Sequence, residues 1–383
     1  MGDKSLFIKN YIMKKAVVSL FTFLLVALIF SSCQTNPIRL FASGYNASGE
    51  KALAVYDLNR ENGTFNKLSE SDAGKDPSYF CISEKKGLIY AANEVMEFNG
   101  VKGGGVTTLK YNPENGSTQK VNELMVPKGG PCFITLSPNE DYLLLANYSS
   151  SSIAVVKLDS KGIPQNVTDT ISFPANEGGP SHPHMIAFDP AGKKVYLTDL
   201  GLDRVVIYDF DTSAGVLRQM PDGVVSFTKG SGPRHFVFNQ AGSKMYVICE
   251  LNSTISVFDV NSNGGISLIQ TLSTLGENYT GENACADIHL ANSGQFLYGS
   301  NRGENTIVVF GVGNDGKLSF SGRTSCGGDW PRNFVIDPSG NYILVGNQKS
   351  GEISLFRIDQ KTGIPNYMND TKFVTPSCLK FFR

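Results

Sequence analysis

Tryptophan and histidine are scarce in this chain, one and four residues respectively out of 383. With so few, a histidine set in a loop is worth inspecting for chemistry. An excess of either charge is missing too. The 34 basic residues meet 35 acidic ones, so nothing pulls the whole molecule toward nucleic acid or an anionic membrane surface. The seven cysteines form no Cys-x-x-Cys pair, which argues against a structural zinc site. Cys81, Cys132, Cys249, Cys285, Cys326 and Cys378 mostly sit inside or at the start of apolar runs and read as buried free thiols. The Gly-x-Ser-x-Gly elbow of a serine nucleophile does not occur. Gly103-Gly104-Gly105 lacks the Gly-Lys-Ser/Thr ending of a phosphate-binding loop and reads as a flexible rim loop. What the chain has instead is turn formers, forty glycines and seventeen prolines, the punctuation of a fold made of short strands.

One long apolar run stands near the beginning. From Met13 the chain reads MKKAVVSLFTFLLVALIFSSC: two lysines, an apolar stretch, then Ser31-Ser32-Cys33. That order resembles a bacterial lipoprotein signal, in which the cysteine becomes the lipidated first residue of the mature protein. Residues 1–33 are therefore expected to be a targeting segment, Cys33 a lipidation site, and the mature protein exported and held at a membrane by its lipid alone. Phe30 stands where such signals usually carry Leu, and Met13 is a better start than Met1. The competing reading is an uncleaved anchor, because the run approaches the ~20 residues that span a bilayer.

The remainder, about residues 38–383, repeats itself. Its clearest unit is SHPHMIAFDPAGKKVYLTDLGLDRVVIYDF (Ser181–Phe210): a proline-centred loop, an apolar run, a tight Asp-Pro-Ala-Gly turn, a second run, a polar loop and a third run. Runs of β-branched and aromatic residues separated by Gly, Pro, Asn and Asp predict an antiparallel meander. The anchor recurs at Pro77, Pro131, Pro183, Pro233, Cys285, Pro331 and Pro376, spaced by 54, 52, 50, 52, 46 and 45 residues. A second ruler agrees: glycine turns recur at Asn62-Gly63, Asn115-Gly116, Lys161-Gly162, Ala214-Gly215, Asn263-Gly264, Asp315-Gly316 and Thr362-Gly363. Both give seven units of propeller-blade length. The N-terminal part supplies three strands, near Arg39–Ser43, Ala52–Tyr56 and Phe65–Ser69, and the C-terminus one lone strand, Ser377–Phe382. Joining them completes a blade. The expected fold is all-β, a seven-bladed β-propeller of four antiparallel strands per blade, closed by the C-terminal strand.

In such a ring the loops before each inner strand and those after each second strand share one face, and the opposite face keeps the tight turns. The residues just after the anchors are Ser78, Cys132, His184, Arg234, Ala286, Arg332 and Ser377. Asn93, Asn147, Asp199, Glu250, Asn301 and Asn347 are expected to end the second strands, followed by Glu94, Tyr148, Leu200, Leu251, Arg302 and Gln348. Structural positions would be filled alike in every repeat. His184, Arg234, Glu250 and Arg302 instead appear singly in neighbouring repeats, an asymmetry that marks a functional site.

The blade pattern, with HPHMIAFDPAGKKVYLTDLGLDRVVIYD, GPRHFVF, CELNSTISVF and SNRGENTIVVF, resembles the lactonase family of seven-bladed propellers, the 6-phosphogluconolactonase type, with fungal carboxymuconate-lactonizing enzymes as relatives. The likeness runs over about residues 38–383. It implies a funnel site of one His, two Arg and one Glu, which fall on His184, Arg234, Arg302 and Glu250. His182 could exchange roles with His184, although His184 shares its repeat position with Arg234. The implied substrate is a small sugar lactone and the implied reaction hydrolysis, with 6-phosphogluconolactone the family's assigned substrate.

A lactone is a cyclic ester, so opening it needs an activated water and stabilisation of an oxyanion. Glu250 is the candidate base, kept ionised by Arg234 and Arg302, which could also grip a phosphate or carboxylate. His184 could protonate the leaving alkoxide. No metal or cofactor is expected. Arg332 and Trp330, in DWPRN, border the same face and could touch the sugar, and Asp199 and Asp287 read as rim acids. His235 should point away from its neighbour Arg234, and His289 lies mid-strand. An export signal sits awkwardly with a phosphorylated cytosolic substrate, so another aldonolactone is a serious candidate. A non-catalytic surface propeller binding protein or glycan, and a muconate-lactonizing isomerase, are the other readings.

Overall fold

Proline suits the first residue of a strand, where no ladder donor is needed and a fixed φ helps the chain leave its loop. That is where the anchors stand. The computed structural model describes residues 38–46, 51–59, 62–175 and 178–382; Met1–Pro37, with Cys33, lies outside them. Among the described residues the chain forms seven four-stranded sheets and a small hairpin, Glu97–Phe98 with Val101–Lys102. Blades 2 to 7 begin at the inner strands Pro77–Ser83, Pro131–Leu136, Pro183–Phe188, Pro233–Phe238, Ala284–Leu290 and Pro331–Ile336. Blade 1 draws on both ends of the chain: Pro376–Phe382 inside, then Ile38–Gly44, Leu53–Asn59 and Thr64–Ser71. Leu40 pairs with Phe381 and Ala42 with Leu379 across that junction. The expected closure is the observed one, and it gives the first blade its full four strands.

Blades stack face to face, so the middle strands must be apolar on both sides. Ser152–Leu158, SIAVVKL, is buried at every position except Lys157, as expected for a β-branched strand covered on both faces. Outer strands such as Pro164–Ser172 carry their exposed polar residues on the periphery. The six described cysteines are buried free thiols within this packing.

A tyrosine in the second strand of each of several blades latches it to the next. Tyr90, Tyr196, Tyr246 and Tyr298 donate their hydroxyls to the carbonyls of Gly162, Gly264, Gly316 and Gly363 at 2.6–3.0 Å. Each acceptor is the glycine of the following blade's outer turn, held at φ between +74° and +90°. A Cβ on Gly162 would stand 2.7 Å from the Tyr90 hydroxyl, so both the backbone and the space require glycine there.

Candidate active site

Every inner strand carries a β-bulge at or beside its anchor. Register slips between Pro77 and Tyr79, Pro131 and Phe133, Pro183 and Met185, Pro233 and His235, Cys285 and Ile288, and Pro331 and Asn333, with a matching irregularity opposite Pro376. A bulge leaves a residue unpaired and re-aims its side chain. His184, Arg234 and Arg332 are such residues.

The second tier is set by the pairing itself. The anchors oppose Asn93, Asn147, Asp199, Cys249, Asn301, Asn347 and Gly44. This corrects the register expected for blade 5, where Cys249, not Glu250, occupies the asparagine position. Glu250 therefore belongs with Tyr45, Glu94, Tyr148, Leu200, Arg302 and Gln348, one residue further on. The asparagines serve their own loops: Asn93 donates to Ala73 and Lys75, Asn301 to Thr274 and Asn347 to Cys326. Asp199 corrects the rim reading. It is sealed beneath the loop, with one oxygen taken by Ser181 and Arg204 and the other by the amides of His182 and Leu202.

Three of the four principal residues are tied directly together. Glu250 Oε2 lies 2.9 Å from Arg234 Nε and 2.7 Å from an Arg302 Nη. The guanidiniums are fixed further by backbone carbonyls, Arg234 by that of Ala286 and Arg302 by those of Ala284 and Cys285. Burial pushes the Glu250 carboxyl upward, but Arg302, Arg234 and Arg332 outweigh it and hold the group ionised, below its ordinary range. Burial and Arg234 lower Arg302 to about 10, still fully charged at neutral pH.

His184 is buried beside them. Desolvation and the nearby Arg234, His235, Arg332 and Arg302 hold its imidazole well below 6.5, so it is neutral at physiological pH. Its Nδ1 is buried without a hydrogen-bond partner among the described residues. Tyr148 meets the His184 ring edge-on at 5.8 Å and stacks on His182 at 4.3 Å. His182 also contacts the Tyr148 carbonyl through Nδ1 at 3.1 Å and is less buried than His184.

The other wall is a second polar group, in which Arg332 and Glu94 stand on the face expected of them and Tyr45 is the member that the sequence does not reveal. An Arg332 Nη donates to the Tyr45 hydroxyl at 2.6 Å, and Tyr45 donates to Glu94 Oε2 at 2.6 Å. Burial raises the Tyr45 phenol, which keeps it protonated and able to donate. No carboxylate lies within ion-pair distance of Arg332 among the described residues, in contrast to Arg234 and Arg302. Trp330 sits on the loop before Arg332, with the Arg302 guanidinium 5.4 Å and Lys349 Nζ 3.2 Å from its ring centroid. Its φ is +68°, in the position where blades 3 and 5 place Gly130 and Gly232. A bulky residue there costs about 1–3 kcal/mol of backbone strain.

Below this tier the expectation for His235 fails. Its ring contacts Tyr79, Phe133 and His184, from blades 2, 3 and 4, so it faces the axis as Arg234 does. The bulge between Pro233 and His235 cancels the alternation that would have turned it away. Asp287 is likewise no rim acid: it is buried in the same layer, bonded to His235 at 2.8 Å and to His289 at 3.0 Å.

Comparison with known proteins agrees with this architecture. A Bacillus subtilis protein named 6-phosphogluconolactonase is 28% identical over 351 residues, 89% of this chain and 97% of its own. A Formosa agariphila protein of the same name is 30% identical, covering 81% and 89%. The solved structure of a periplasmic gluconolactonase from Pseudomonas aeruginosa superimposes with a TM-score of 0.84 at 27% identity, over 90% of this chain and 98% of that one. The model of the family described as "Lactonase, 7-bladed beta-propeller" matches residues 39–381. Bulged inner strands, a closed seven-blade ring and that match together place the chain in the lactonase family of seven-bladed β-propellers.

Proposed function

We propose that this protein hydrolyses a sugar lactone by direct attack of water, with no covalent enzyme intermediate. One observation carries the reading: a buried, neutral imidazole close to three guanidiniums, each from a different blade. A neutral imidazole is a proton acceptor, and guanidiniums in a dehydrated pocket stabilise the negative charge of a tetrahedral intermediate. The relatives named 6-phosphogluconolactonase and the gluconolactonase structure support the same reaction class.

In this mechanism His184 takes a proton from water as the oxygen attacks the lactone carbonyl. The tetrahedral intermediate then collapses with cleavage of the ring C–O bond, and His184 returns the proton to the departing alkoxide. The product is an open hydroxy acid. Glu250 is ionised, but its Oε2 is spent on Arg234 and Arg302, and the same arginines make it a weak base. Its role here is to pin the two guanidiniums. Arg332, which among the described residues bonds a phenol and no carboxylate, is the arginine proposed to receive a substrate anion or hydroxyl, with Trp330 and His182 proposed to border the sugar.

The substrate is 6-phosphogluconolactone or an unphosphorylated aldonolactone. The lipoprotein-like segment ending at Cys33 and the likeness to the periplasmic gluconolactonase of Pseudomonas aeruginosa favour an exported enzyme and the second choice. A panel of phosphorylated and plain lactones, with proton release followed above the spontaneous rate, tests the reading. Acceleration of no lactone would remove it.

A further inference from the structure

Blade 2 differs from its neighbours in the loop that carries Glu94. Among the described residues it alone inserts a hairpin, Glu97–Phe98 with Val101–Lys102, between its second strand, Leu88–Asn93, and its third, Gly104–Tyr111. The insertion is pinned on two sides. The Glu94 amide donates to the Asp76 carbonyl at 2.9 Å, and the Val95 carbonyl accepts the amide of Gly130, in the anchor loop of blade 3, at 2.8 Å. Phe98 is buried over Gly105, where a Cβ would overlap its ring. Glu94 itself is half-buried. Burial raises the Tyr148 phenol, and Glu250 and Glu94 are the carboxylates that add to it, so acids from blades 5 and 2 act on one ring of the site.

Arg332 donates to the Tyr45 hydroxyl and Tyr45 to Glu94 Oε2, each at 2.6 Å, so guanidinium and carboxylate stand one phenol apart instead of in contact. The link uses up neither. Glu94 Oε1 and the remaining donors of Arg332 make no other hydrogen bond among the described residues. An acceptor and a set of donors held apart match sugar hydroxyls, each of which donates one hydrogen and accepts on its oxygen. A phosphate ester fits the pair poorly: it brings a charge of about −1.5 to −2 at neutral pH on acceptor oxygens, which Glu94 repels. The charge count agrees. Three guanidiniums against Glu250 and Glu94 leave one positive charge, which the oxyanion of the tetrahedral intermediate takes up. In the layer beneath, the histidines bonded to Asp287 outweigh burial and keep it ionised, which makes the balance more negative. Lys349, over the Trp330 ring, is exposed and screened by solvent. We infer that Glu94 is a specificity-determining residue, which with Tyr45 and Arg332 selects a lactone bearing free hydroxyls over the phosphate ester of the same lactone. The inference rests on the hydrolase reading and names its substrate class.

The test compares gluconolactone with 6-phosphogluconolactone on the wild type, Glu94→Gln and Tyr45→Phe. The wild type should favour the plain lactone in kcat/KM by about 10-fold or more. Glu94→Gln keeps an acceptor for the phenol and removes the charge. It should raise KM for the plain lactone about 10-fold, the worth of a charge-assisted bond, and improve kcat/KM for the phosphorylated one by about as much, most clearly at low salt. The preference then shifts about 10²-fold. Tyr45→Phe breaks the link but keeps the carboxylate, so it should not improve the phosphorylated lactone. If Glu94 served only to hold Tyr45, the two variants would act alike, each changing both lactones by one common factor. That result, or a wild type that prefers the phosphorylated lactone, would overturn the inference. Inorganic phosphate titrated by calorimetry reads the same selection without turnover: Glu94→Gln should bind it about 10-fold more tightly than the wild type, and equal binding would overturn the inference. A wild type that opens neither lactone would instead overturn the hydrolase reading, with the phosphate titration still deciding the role of Glu94.

Discussion

Replacing Glu250 by Gln separates two roles for this carboxylate. In the structure it is the shared counter-ion of two buried guanidiniums, at 2.9 and 2.7 Å, with its own side chain 19% exposed. Breaking a fully buried pair costs ~3–5 kcal/mol. The residual exposure and the surviving amide acceptor reduce this to about 1–3 kcal/mol, measurable by denaturant unfolding without loss of the fold. Loosened guanidiniums should cost about 10²-fold in kcat/KM, the scale of a misplaced positioning group. The pH profile is the discriminating readout. His184 is depressed by the arginines around it, so removing their counter-ion should lower it further and shift the acid limb of kcat/KM to still lower pH. If Glu250 were the base, the acid limb would vanish together with the rate. A residual activity with no acid limb would refute the assignment of the base to His184.

Other perturbations read different parts of the molecule. Arg332→Met should raise KM for lactones about 10- to 10²-fold, the worth of one or more charge-assisted bonds, while changing kcat less in steady-state assays. Tyr246→Phe, which removes the 3.0 Å bond to the Gly316 carbonyl, should cost about 1 kcal/mol of stability in denaturant melts and leave turnover unchanged. Burial and Arg234 hold His235 at about 4 against 6.5 when unfolded, so the native state binds fewer protons between those values. Its contribution, on the order of 3 kcal/mol, is complete above the unfolded value and is lost as the pH falls toward the folded one. Denaturation from about pH 7 to pH 4.5 should show that loss, and His235→Phe should flatten it.

Blade number and closure were readable because proline anchors and glycine turns are local requirements of each repeat, independent of long-range packing. The contrast among His184, Arg234, Glu250 and Arg302 was readable for the same reason, since it shows only against a regular background. What escaped needed register. Blade 5 has Cys249 where four other blades have asparagine, so counting placed Glu250 one residue early. Tyr45 was hidden because its blade is split between the two ends of the chain, and only the pairing of Gly44 with Pro376 reveals its position. His235 and Asp287 were misjudged because period-two alternation does not survive a bulge. The tyrosine latches left a signal, one tyrosine per repeat from Tyr90 to Tyr342, whose meaning depends on where the neighbouring turn lies.

The most direct measurement is proton release during opening of a sugar lactone by the wild-type protein and by His184→Gln, side by side at neutral pH. His184 as the proton acceptor requires clear acceleration over the spontaneous reaction by the wild type and loss of about 10² to 10⁴ of it in the variant, the range of general acid–base catalysis. Equal rates in the two proteins would contradict it.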